Sequence, residues 1–142
     1  ALVEEINYKH REEDWKPIIM VRRHLSFYEL LAFYRLGDVC IVSSLHDGMN
    51  LVAKEFLASR YDEGGVLVLS QFTGASRELT DAILINPYDL KQFSEALFEA
   101  INLPGDEIKK RNSKMRSIIQ NNNIYRWAGK ILSELLKFEF KE

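Results

Sequence analysis

At 142 residues with 46% hydrophobic content, the chain has the size and apolar fraction of one packed domain. A net charge of −2 gives no electrostatic reason to expect nucleic acid, and the basic clusters Lys9-His10-Arg11 and Arg22-Arg23 read as solvated surface or as charge beside an anionic ligand. One cysteine rules out an internal disulfide; with no run near the ~20 apolar residues of a membrane span and no visible signal peptide, cytoplasm is the expected setting.

In chain order, residues 1–9 read as the tail of a helix with no strand before it. Four short apolar runs, 16–21, 39–43, 66–70 and 82–86, read as short buried strands whose composition favours parallel pairing, with 39–42 buried on both faces of the sheet. Helices or short connections separate them, which predicts an α/β fold, a Rossmann-like parallel sheet with helices on both faces. Ser26 and Glu29 have the spacing of a capping box opening an amphipathic helix to about residue 36, which Gly37 ends. Gly64-Gly65 marks the turn into the third run, and a short helix over 75–79 is expected beyond Thr73-Gly74. Asp89 with Gln92 caps a helix to about residue 101. Pro104, Asp106 and Glu107 start another. The tract Asn121-Asn122-Asn123 breaks the chain, after which Ile124, Trp127, Ile131, Leu135 and Phe138 recur at helical spacing.

The chemistry concentrates in Ser43-Ser44-Leu45-His46-Asp47-Gly48-Met49-Asn50-Leu51-Val52-Ala53-Lys54-Glu55, where a strand runs through a glycine loop into a helix. Gly48 suits a positive φ where backbone approaches a ligand closely. Asn50 is a good N-cap for a helix over 51–60, with Leu51, Val52, Phe56 and Ser59 on its inner face. The first amides of such a helix lack intrahelical acceptors, and its dipole adds about half a positive charge there, so a diphosphate fits. Lys54 is either a helper at that site or an ordinary surface lysine. Asp47 and Glu55 stand under two readings: a turn residue and a solvated helix residue, or carboxylates that accept hydrogen bonds from the hydroxyls of a sugar and a ribose. Thr73 and Gly74 share the same carboxyl edge of the sheet, where ligands of open α/β sheets bind, and are secondary candidates.

His46 to Phe56, the preceding Tyr34 to Ser44, and the later Gly65 to Leu79 and Ile83 to Asp89 together resemble the second lobe of the trehalose-6-phosphate synthase family, retaining glycosyltransferases of the GT-B architecture. The resemblance runs from about Trp15 to Asp89. It implies transfer of glucose from UDP-glucose to glucose 6-phosphate, with no metal and no further cofactor. Carried over, Asp47 is the catalytic-site residue holding donor-sugar hydroxyls. The backbone of Gly48, Met49, Asn50 and Leu51 faces sugar and diphosphate, Val52 lies close by, and Glu55 takes the ribose hydroxyls.

Two departures from the family pattern stand out. His46 occupies a position where family members usually carry an arginine, and the basic pair that neutralises the diphosphate belongs upstream of Ala1. The expectation is one truncated nucleotide-sugar-binding domain over 1–142, its C-terminal helices running from about 104 to 140, inactive without an N-terminal lobe. In that architecture the last helix commonly crosses to the absent lobe, so part of the Tyr125, Trp127, Phe138 and Phe140 set is expected to be exposed or covered by a neighbour. A relative with another acceptor (a glucosylglycerol-phosphate synthase), a pseudo-glycosyltransferase and a noncatalytic regulatory module stay open, as does oligomer formation. His24, Cys40 and His46 lack the close-spaced partners of a zinc site, and Ser43, Ser44 and Ser70 lack a nucleophile elbow.

Overall fold

A computed structural model describes residues 2–137. Its elements in order are α1 (Leu2–His10), α2 (Phe27–Leu36), β1 (Val39–Val42), α3 (Leu51–Ser59), β2 (Val66–Ser70), a 3₁₀ turn (Gly74–Arg77), β3 (Ile83–Ile85), α4 (Leu90–Asn102), α5 (Gly105–Asn121) and α6 (Ile124–Leu135). The strands form a parallel sheet in the order β1-β2-β3, with Val39 opposite Val66 and Val68 opposite Ile83. Every residue of β2 is buried, as a central parallel strand requires.

The two-residue period of β2 divides the core. Leu67 and Leu69 join Val42, Phe56, Leu57, Leu79 and Met115 on the α3 and α5 side. Val66 and Val68 join Ile83, Ile85, Ala96 and Ala100 under α4. Each fully buried side chain of this size contributes roughly 1.5–3 kcal/mol, so the sheet is held from both faces and its carboxyl edge is a firm platform.

Local signals formed as their chemistry dictates. Ser26 and Glu29 make both bonds of the capping box, and Arg23 adds a 2.6 Å ion pair that, with the Ser26 bonds, holds the Glu29 carboxyl down at about 2. Asp89 accepts from the Gln92 amide. Gly37 ends α2 without a left-handed turn, at φ −72°, its N–H reaching the Phe33 carbonyl. Gly65 supplies the positive φ of the turn into β2, at +75°. The helix expected over 75–79 is instead a 3₁₀ turn beginning one residue earlier.

The run 16–21 is not a strand. A strand exists only through a ladder, and this segment finds none among the described residues: Pro17 has no N–H, both backbone groups of Ile18 bond the Asn7 side chain at 2.9 Å, and Ile19 to Val21 are exposed. The inner face of α3 is also rotated from expectation. Ala53, Phe56, Leu57 and Ser59 are buried, whereas Leu51 and Val52 are exposed. In the last helix Tyr125 and Trp127 are exposed, along with Ile124, Leu132 and Leu135; Phe138 and Phe140 lie outside the described residues.

Candidate functional site at the start of α3

The loop between β1 and α3 is stitched to the loop after β2. Asp47 N–H donates to the Phe72 carbonyl at 3.3 Å, Gly74 N–H to the Asp47 carbonyl at 2.9 Å, and Ala75 N–H to the Met49 carbonyl at 2.8 Å. These bonds extend the parallel pairing beyond the strands as an Asp47–Thr73 bridge. Thr73 is buried with its hydroxyl on the Ser70 carbonyl, and Gly74 packs directly beneath Gly48. The two secondary candidates thus underlie the loop.

Within the loop the positive φ falls on Asn50, at +73°, and Gly48 does not need it. Asparagine tolerates this region better than most side chains, and here its amide is used at both ends. Oδ1 accepts from the Ala53 N–H at 2.9 Å as N-cap, and Nδ2 donates to Asp47 Oδ2 at 3.0 Å. Asp47 Oδ1 accepts from the Met49 N–H at 3.0 Å. The Met49 amide first and the Asn50 side chain second hold the Asp47 carboxyl below its usual range, so it stays ionised. A carboxylate has about four acceptor sites; two are in use.

With Ala53 capped, the amides of Leu51 and Val52 have no acceptor among the described residues. Leu51 and Val52 are exposed, and Glu55, also exposed, stands one turn further on. Glu55 Oε2 accepts from the Tyr34 hydroxyl of α2 at 3.1 Å. Burial first, then that bond, push the Tyr34 phenol up to about 12. Lys54 turns the other way, to Glu78 at 3.0 Å, so its charge is already matched by a carboxylate.

No described cavity is lined by both Asp47 and Glu55. Glu55 borders a hollow of about 350 Å³ between α2 and α3, with Leu30, Tyr34 and Tyr61. A second hollow of about 390 Å³ lies between Met49, Leu51 and Lys54 and the start of α6, with Trp127 and Arg126. Asp47 is half-buried, Gly48 and Met49 are exposed, and Asn50 is buried. Among the described residues no cluster of three or more His, Cys, Asp and Glu side chains is gathered as a metal centre. Sequence reasoning missed Tyr34, whose side chain reaches Glu55 across 21 residues of chain, and Glu78, which lies 24 from Lys54.

A parallel sheet flanked by helices on both faces, with a capped loop at its carboxyl edge, defines a Rossmann-like α/β domain of the kind that forms a lobe of GT-B glycosyltransferases. The sequence model of glycosyltransferase family 20 matches residues 1–137, and the chain belongs to that family. Among its relatives, the glucosylglycerol-phosphate synthase of Picosynechococcus is 38% identical over 133 residues, covering 94% of this chain and 27% of the relative. The α,α-trehalose-phosphate synthase (UDP-forming) of Burkholderia xenovorans, solved with glucose-6-phosphate, superposes with a TM-score of 0.89 at 37% identity, covering 94% of this chain and 30% of that one. An E. coli trehalose-6-phosphate structure bound with UDP-2-fluoro glucose superposes at 0.90 with 38% identity, over 96% and 31%. The chain therefore spans under a third of the length of each of these proteins.

Proposed function

We propose that this domain is the UDP-glucose-binding part of an α,α-trehalose-phosphate synthase, which transfers glucose with retention to glucose 6-phosphate. The observation that carries the reading is the start of α3: Asn50 caps Ala53 and leaves the amides of Leu51 and Val52 free of acceptors, with Glu55 one turn on. The donor diphosphate sits at those amides and at the positive end of the helix dipole. Gly48, Met49, Asn50 and Leu51 present backbone to sugar and diphosphate, with Val52 beside them. Open space where a Gly48 side chain would stand supports that close approach. Asp47 keeps acceptor sites for the glucose hydroxyls, and Glu55 accepts from the ribose.

In this chemistry the bond from the anomeric carbon to the diphosphate oxygen breaks while the acceptor oxygen bonds on the same face. The departing diphosphate takes the acceptor's proton, so these residues act by positioning and by stabilising charge. No metal or further cofactor enters the proposal. A cytoplasmic setting belongs to it as well; separately, no helix among the described residues is long and apolar enough to cross a membrane. Glucosylglycerol-phosphate synthase is the second reading, favoured by the Picosynechococcus relative; it shares the donor site and differs in the acceptor.

Two measurements test the donor reading. The 142-residue chain alone should bind UDP-glucose weakly and show no transferase turnover, because it spans under a third of the length of the synthases it matches; nanomolar affinity by titration calorimetry would contradict this. In the complete two-lobed enzyme, Glu55→Ala should weaken UDP roughly ten- to hundredfold, the worth of a hydrogen bond to a charged group, about 1.5–3 kcal/mol. Equal UDP affinity in wild type and variant refutes the ribose role.

A further inference from the structure

We infer that Tyr34 is a positioning residue for Glu55: its hydroxyl fixes one carboxylate oxygen so that the other presents its lone pairs to the vicinal hydroxyls of a ribonucleotide. The inference rests on the ribose role of Glu55 and extends it to a residue on another helix. A glutamate at the surface of a helix ordinarily samples many rotamers, and gripping two adjacent hydroxyls requires one of them. Glu55 is exposed and has no cationic partner among the described residues; the Tyr34 hydroxyl, at 3.1 Å, is its donor. A neutral donor takes one acceptor site and leaves the negative charge intact, whereas a lysine or arginine there would compete with the ligand for it.

Tyr34 is itself held on two sides. Its ring meets the ring of Phe56 edge-on, centroids 6.3 Å apart at 77°, and Phe56 is core. Its carbonyl, with those of Arg35 and Gly37, accepts from the Arg60 guanidinium at the far end of α3. The end of α2 is thereby tied to the helix that carries Glu55, so the phenol is a fixed post beside the carboxylate.

The test is UDP binding by the complete enzyme, measured by calorimetry for wild type, Tyr34→Phe, Glu55→Ala and the double variant, with 2′,3′-dideoxy-UDP as second ligand. Phenylalanine keeps the ring on Phe56 and removes only the hydroxyl. Tyr34→Phe should weaken UDP about fivefold, the net scale of one hydrogen bond. It should not change dideoxy-UDP binding, and should add nothing in the Glu55→Ala background. Unchanged UDP affinity in Tyr34→Phe, while Glu55→Ala weakens it, overturns the positioning role and leaves the ribose role standing. A Glu55→Ala variant with full UDP affinity removes both. An equal Tyr34→Phe penalty on the dideoxy ligand, or in the Glu55→Ala background, shows that the hydroxyl acts by some other route and overturns the inference.

Discussion

Replacing Gly74 by alanine should disable the loop between β1 and α3 from beneath. A Cβ at this position would lie 2.0 Å from the Gly48 carbonyl oxygen and 2.8 Å from its carbonyl carbon. Those are backbone atoms and cannot rotate away as a flexible side chain would. Either Gly48 lifts or Gly74 retreats, and both movements break the bonds from Gly74 N–H to Asp47 and from Ala75 N–H to Met49. Overpacking of a tight contact costs about 1–3 kcal/mol, and a clash with backbone belongs at the upper end. For a domain of this size about 3 kcal/mol corresponds to a melting temperature lower by roughly 10 °C. UDP binding should fall with it, since the displaced loop carries Asp47 and the start of α3. Gly48→Ala is the control: its Cβ meets nothing within 4 Å and its φ is not positive, so its melting temperature should stay near wild type. If Gly74→Ala melts like wild type and binds UDP normally, the stitching between the two loops does not support the site.

The contrast between these glycines shows where sequence reading succeeds and where it stops. The Ser26–Glu29 box, the Asn50 cap and the Asp89 cap were legible because each is closed by atoms three residues apart, and chain geometry alone brings them together. The apolar runs of β1, β2 and β3 were legible as strands from composition, but burial on both faces holds for β2 alone: Ile41 of β1 and Leu84 of β3 are exposed, because both strands lie at the edges of the sheet. The run 16–21 has similar composition and is no strand, because a ladder depends on a neighbour that composition does not name. The positive φ expected at Gly48 falls instead on Asn50, whose side chain also tolerates it. The choice follows from how the loop docks on Thr73 and Gly74, far along the chain. Periodicity gave α3 a buried stripe but not its phase, and the exposed Leu51 and Val52 belong to the first turn, beside the loop and α6. Asp47 and Glu55 were readable as candidate ligands of hydroxyl groups; their partners Tyr34 and Asn50 differ in legibility because one is distant and the other is adjacent.

Arg60→Met should cost about 3 kcal/mol and carry a functional defect with it. The Arg60 side chain is buried, and its guanidinium serves the Tyr34, Arg35 and Gly37 carbonyls through one nitrogen and Asp62 through another. Methionine fills comparable volume but donates nothing, which leaves the part-buried carbonyls at the end of α2 without this donor; an acceptor that water cannot reach costs about 1–3 kcal/mol. Part of the loss is offset, because Arg60 Nε is buried without a partner and that penalty disappears with the side chain. Asp62 is more than half exposed and re-solvates cheaply. Lysine should not rescue the variant, since a single ammonium on a flexible stem does not reproduce the planar fork that reaches α2 and Asp62 together. The expected result is a urea midpoint lower by roughly 1–2 M with an unchanged slope. Because α2 carries Tyr34, loosening its end should also weaken UDP by about as much as Tyr34→Phe does, and the two changes should not add when combined. Additive losses would mean that Arg60 acts on the nucleotide site by a path that does not pass through Tyr34, and a midpoint equal to wild type would mean that the three carbonyls find water as readily as they find the guanidinium.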